Sequence, residues 1–115
     1  MIKIIEFNIN EILIAEKACS DLISRACLRN IVTPLHVTGM CSNIDKVFVI
    51  LESCNENITL PEYRFAPLSS LHGKAIGSEI SARYYAGFTT IGSFFVDDKL
   101  WALFADNNEN NDNNV

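Results

Sequence analysis

The stretch Phe88-Thr89-Thr90-Ile91-Gly92-Ser93-Phe94-Phe95-Val96-Asp97-Asp98-Lys99-Leu100-Trp101-Ala102-Leu103-Phe104-Ala105 decides between two architectures. Read as two strands, 88–96 and 99–105, around an acidic two-residue turn, it forms a hairpin. Read as a helix running through Phe95, it leaves only Leu100–Phe104 as a strand. Thr89, Thr90 and Gly92 favour the hairpin, because β-branched residues suit strands and glycine weakens a helix. Seven of the chain's eleven aromatic residues fall between Tyr84 and Phe104. On strands, Phe94 and Phe95 point to opposite faces, as do Trp101 and Phe104. One face is expected to carry a helix. The other needs a second cover, and Phe94, Phe95, Trp101 and Phe104 are read as interface residues of a homodimer.

Upstream of the hairpin, Lys74 to Tyr85 carries Ile76, Ile80 and Tyr84 at helical spacing, with Gly77 as a weak point and Gly87 as a stop. Tyr63-Arg64-Phe65 is at most a short strand that Pro67 ends. Ser53 to Pro61 is polar and loop-like. Lys46 to Glu52 is the clearest strand, apolar on both faces and so expected to be central. Thr33 to Met40 is extended, and Cys41 to Asp45 turns the chain.

The strongest helical pattern runs from Glu11 to about Arg29. Ile12, Ala15, Ala18, Cys19, Leu22, Ile23 and Ala26 form its apolar face, Asn8 and Glu11 form a capping-box start, and Asn30 ends it. Ile2 to Phe7 precedes it as a strand. The order β-α-β-β-(β)-α-β-β predicts an α+β sandwich. Its nearest template is the ferredoxin-like βαββαβ arrangement, with two helices on one antiparallel or mixed sheet and an additional C-terminal strand or hairpin.

The chain has 115 residues, a net charge of −5 and 49% hydrophobic residues. That length fits a single domain, taken as residues 1–106. Residues 107–115 hold six Asn, one Glu and one Asp and are expected to be a disordered tail, which leaves a body of charge −3. The apolar content excludes a disordered chain. The absence of a long apolar run excludes a spanning segment. Nine basic residues against fourteen acidic ones argue against nucleic acid.

No signal-peptide pattern opens the chain, so the cysteines Cys19, Cys27, Cys41 and Cys54 are read as reduced thiols in the cytoplasm, and the Asn57-Ile58-Thr59 sequon as unused. Their spacing is not that of a metal site, and no cofactor motif is present.

Ser69 to Ser78 enters the second helix and supplies the best candidate site. Helix-start amides favour anions, and Ser70, His72, Gly73, Lys74 and Ser78 are candidate ligands for a small anion. The Gly-Lys pair does not make a phosphate loop, because Ala75 follows the lysine and the upstream glycine is missing. The favoured reading is a small, non-enzymatic, self-associating module with a regulatory or structural role. The alternative is an enzyme with His72 as acid–base group, Lys74 or Arg83 anchoring an anionic substrate, and Glu79 or Tyr84 assisting. An adaptor between other proteins is a third reading.

Overall fold

A computed structural model describes residues 1–28, 34–53 and 60–108. Arg29, Asn30, Thr33, Cys54, the sequon at Asn57 and tail residues 109–115 lie outside the described residues. The described chain runs β1 (Ile2–Asn8), α1 (Ile9–Ile14), α2 (Glu16–Leu28), β2 (Leu35–Ser42), β3 (Lys46–Ser53), β4 (Glu62–Leu68), α3 (Gly73–Tyr85), β5 (Phe88–Val96) and β6 (Lys99–Asp106).

The hairpin reading of 88–105 holds. β5 and β6 pair antiparallel around Asp97 and Asp98, and Asp97 adopts φ 54°, a left-handed turn position that aspartate tolerates. β3 is central, flanked by β1 and β2.

The expected single ferredoxin-like sheet does not form. The strands divide into two three-stranded antiparallel sheets, ordered β1-β3-β2 and β4-β6-β5. The physical reason is β4. Tyr63, Phe65 and Leu68 are buried and give residues 62–68 a full strand pattern, so the segment pairs with β6 along its length. It thereby founds a second sheet instead of fraying beside the first.

Pro67 does not end this strand. The amides of Tyr63 and Phe65 point away from β6 and donate to the hydroxyls of Ser24 (3.0 Å) and Ser20 (2.9 Å) on α2. Position 67 shares their alternation, so its missing N–H falls outside the ladder, where proline is tolerated. Ser20 in turn donates to the Glu16 carbonyl at 2.7 Å. Two serines one helical turn apart thus replace a neighbouring strand along the β4 edge.

The expected single helix over 11–29 is two helices. It starts earlier, with the Asn8 amide donating to the Glu11 carboxylate at 2.9 Å, and breaks at Ala15, whose backbone leaves helical angles at φ −136°, ψ 54°. Ile12, Cys19, Ile23 and Ala26 are buried as expected, and Cys27 with them, whereas Ala15, Ala18 and Leu22 are exposed. The elbow lets Ile12 enter the core while α2 follows the β4 edge.

The main core lies between the sheets and α2. It joins Phe7, Val47, Val49 and Leu51 to Phe65, Phe94, Trp101 and Leu103. Phe65 meets Phe7 and Phe94 edge-on, with centroids 5.7 and 6.1 Å apart. A smaller cluster of Leu68, Leu100, Ala102 and Phe104 packs on the opposite face of the second sheet, with Ile76 of α3 against it. β2 and β5 lie side by side without a ladder. A side chain at Gly92 would strike Met40 Cγ, 2.6 Å from the Cβ position.

α3 stops as expected. Gly87 takes φ 99°, and its carbonyl accepts the Asn107 amide at 2.8 Å. Asn108 donates to the Ala86 carbonyl at 3.1 Å and to Asp106 at 2.9 Å. These first two residues of the Asn-rich segment are therefore hydrogen-bonded to the body.

Candidate interaction surface

The loop before α3 already holds an anion of its own. The Glu79 carboxylate accepts the Ser69 and Ser70 amides at 3.1 Å, the Ser69 hydroxyl at 3.2 Å and the Arg83 guanidinium at 3.2 Å. Partial burial acts to raise this carboxyl, but the hydrogen bonds from Ser69, Ser70 and Arg83 outweigh it and hold the group at about 2. Of the candidate ligands, Ser70 is tied to Glu79 through its amide. His72 is the residue at the helix start and makes no side-chain cap bond, and Ser78 donates back to the Lys74 carbonyl at 3.2 Å. His72, Gly73, Lys74 and Ser78 are exposed.

The groups of the enzyme alternative are only partly brought together. Arg83 and Glu79 line a cleft of about 370 Å³ with Arg64, Phe88 and Phe104. Arg83 also donates to the Pro67 carbonyl at 3.1 Å and lies 4.7 Å from the Phe104 ring centroid. Its charge is thus matched by Glu79 and an aromatic face. His72, Lys74 and Tyr84 are not among the cleft residues, and no histidine or cysteine lines it among the described residues. A second groove, about 580 Å³, opens at the α1–α2 elbow over Phe7, Ala15, Ala18, Cys19 and Leu22, with Glu11 and Asp45 at its margin. Burial first, and then the Glu11 charge, push the Cys19 thiol up, and burial pushes Cys27 up to about 11. Neither thiol is poised as a nucleophile. Among the described residues no cluster of three metal-ligating side chains occurs.

The aromatic residues read as an interface are mostly covered from within the chain. Phe94 and Trp101 lie in the inter-sheet core and Phe104 lies under Arg83, while Phe95 is 64% exposed. The second cover expected of a partner subunit is supplied by α3 on one side and by the first sheet with α2 on the other.

The first sheet is different. Its inner face, with Phe7, Val47, Val49, Leu51 and Val37, is buried. Its outer face presents Ile2, Ile4 and Glu6 on β1, Lys46, Phe48, Ile50 and Glu52 on β3, and His36 and Cys41 on β2. Ile2 and Ile4 are 67% and 58% exposed, Cys41 is exposed, and Phe48 and Ile50 are half-buried. No described helix lies on this face. Charge sits at both ends. Lys46 bonds Glu6 at 2.8 Å, and Glu52 accepts the Thr38 hydroxyl at 3.0 Å.

The sequence carried a signal for this face. In Lys46–Glu52 the outward set Lys46, Phe48, Ile50, Glu52 begins and ends in charge, whereas the inward set Val47, Val49, Leu51 is wholly apolar. Among the described residues no helix is long and apolar enough to cross a membrane. No protein-family model, curated protein or solved structure matches the chain.

Proposed function

We propose that this chain is a non-enzymatic α+β module that forms a homodimer through the outer face of the β1-β3-β2 sheet, in a structural or regulatory role. The observation that supports this reading is the strip Ile2, Ile4, Phe48, Ile50 left without a described covering element. Three strands about 4.8 Å apart and seven residues long offer roughly 300 Å² of sheet. That is about the size of the largest apolar patch on an ordinary monomer, and such a patch is often functional. It is smaller than the roughly 800 Å² per partner of a tight complex, so the dimer is weak and concentration-dependent.

The reading calls for no cofactor, metal or nucleic acid. It places the protein in the reducing cytoplasm, in keeping with the unpaired Cys19, Cys27 and Cys41. Sedimentation velocity between about 1 and 500 μM tests it, since a weak dimer has its transition in that range. The expected result is a shift from monomer to dimer that Ile4→Asp abolishes. A wild-type chain that stays monomeric throughout overturns the reading, as does an Ile4→Asp variant that dimerises unchanged.

A further inference from the structure

The outer face of the first sheet carries enough pattern to say how a second copy would lie on it. This step rests on the proposed self-association. Three outward rows follow from the register. Glu52 lies between Ile2 and His36, Ile50 lies between Ile4 and Gly39, and Phe48 lies between Glu6 and Cys41. Lys46 closes the face beside Asn8. Along the central strand the face therefore reads cation, aromatic, aliphatic, anion.

Aligned sheets stacked face to face by a two-fold axis have two choices, because the axis runs in the plane between them, near the strand direction or near its normal. An axis along the strands sets Lys46 over Lys46 of the partner subunit and Glu52 over Glu52 of the partner subunit. Like charges then meet at both ends. An axis across the strands sets β3 antiparallel to β3. Lys46 then meets Glu52 of the partner subunit, and Phe48 meets Ile50 of the partner subunit. The Lys46 ammonium has three donors and spends one on Glu6, so it can bridge both carboxylates.

We infer that the dimer is the second of these, a two-fold face-to-face stack with antiparallel β3 strands, crossing at roughly the 30° usual for aligned sheets, in which Lys46 of each copy holds Glu52 of the partner subunit. The two-fold axis makes this contact twice. Pairing of the β1 edges, the other way two such sheets join, brings Lys46 and Glu52 nowhere near each other and would be indifferent to their signs.

Charge reversal tests this. Sedimentation velocity is run on Lys46→Glu, Glu52→Lys and the doubly swapped chain, each checked for folding by circular dichroism. The neutral variants Lys46→Gln and Glu52→Gln stand in for any reversal that misfolds. Each single reversal is expected to weaken the dimer about tenfold or more, because it changes two symmetric contacts. The double swap restores affinity to within about threefold of wild type, since charged partners are again opposed. Single reversals that dimerise like wild type overturn the arrangement, and so does a double swap no tighter than the singles. In both cases dimerisation itself still stands. A wild-type chain that never dimerises removes both the arrangement and the reading it rests on.

Discussion

The two sheets have the same size and pairing but opposite surroundings. Each has three antiparallel strands with the central one flanked on both sides. On the central strand of the second sheet, Phe104 points outward and is 1% exposed, because α3 lays Arg83 over its ring. On the central strand of the first sheet, Phe48 points outward and no described helix lies over it. Two phenylalanines in equivalent places thus differ in cover. One is closed over by the chain's own helix, and the other keeps part of its ring exposed. Strand hydrophobicity alone therefore does not say which face a small domain covers with its own chain.

Removing each ring in turn gives the largest expected difference between the sheets. Phe104→Ala is expected to cost about 3–5 kcal/mol in urea unfolding, as for other buried aromatics. Phe48→Ala, measured at a concentration where the protein is monomeric, is expected to cost about 1–2 kcal/mol, because that ring is only half-buried. Equal losses would mean that the first sheet's outer face is covered in the monomer.

A middle-sized effect tests how the second sheet is closed. Ser20→Ala leaves the buried Phe65 amide unpaired and is expected to cost about 1–3 kcal/mol. Ser24→Ala, at the half-buried neighbouring contact, should cost less. If neither matters, α2 does not serve as the β4 neighbour. Gly87→Ala forces a left-handed residue and strikes the Asn108 side chain. A loss of about 1–2 kcal/mol in thermal unfolding is expected from backbone strain of this kind.

The smallest effect is a pH dependence. A carboxyl held low stabilises the fold fully above its unfolded pKa of about 4.3. For Glu79 that contribution fades as the pH falls and is gone below about 2. Glu79→Gln should therefore be less stable than wild type at pH 7, with the gap narrowing between about pH 4.3 and 2. A gap that is constant with pH would show that the loop before α3 does not depend on the ionised carboxylate.

Much of the local structure was legible. The capping start at Asn8 and Glu11, the strand Lys46–Glu52, the α3 stop at Gly87 and the hairpin at Asp97-Asp98 all follow from local chemistry. The division into two sheets was not, because it turns on what pairs with 62–68. Pro67 looked like a breaker, and only the direction of the missing N–H makes it harmless. Nor did residue types announce the break at Ala15, where neither glycine nor proline is present. The cover of the aromatic residues was hidden for a related reason. Opposed aromatics at 94–95 and at 101 and 104 promised an uncovered face, but the other half of the chain covers most of it. The anion site at Ser69–Ser78 was drawn from free amides before a helix, and Glu79, ten residues on from Ser69, takes two of them.

The serine-lined contact between α2 and β4 also limits what the molecule can build. Each sheet has two rims. β2 and β5 shelter each other, α2 seals β4, and among the described residues only β1 is left open. Growth of a cross-β fibre needs a donor rim and an acceptor rim on every unit. A unit with one open rim can add a single neighbour there and then stops. Loss of the two hydroxyls would leave two β4 amides unpaired and weaken the α2 seal, so the variant lacking both Ser20 and Ser24 is the one from which filaments should be sought.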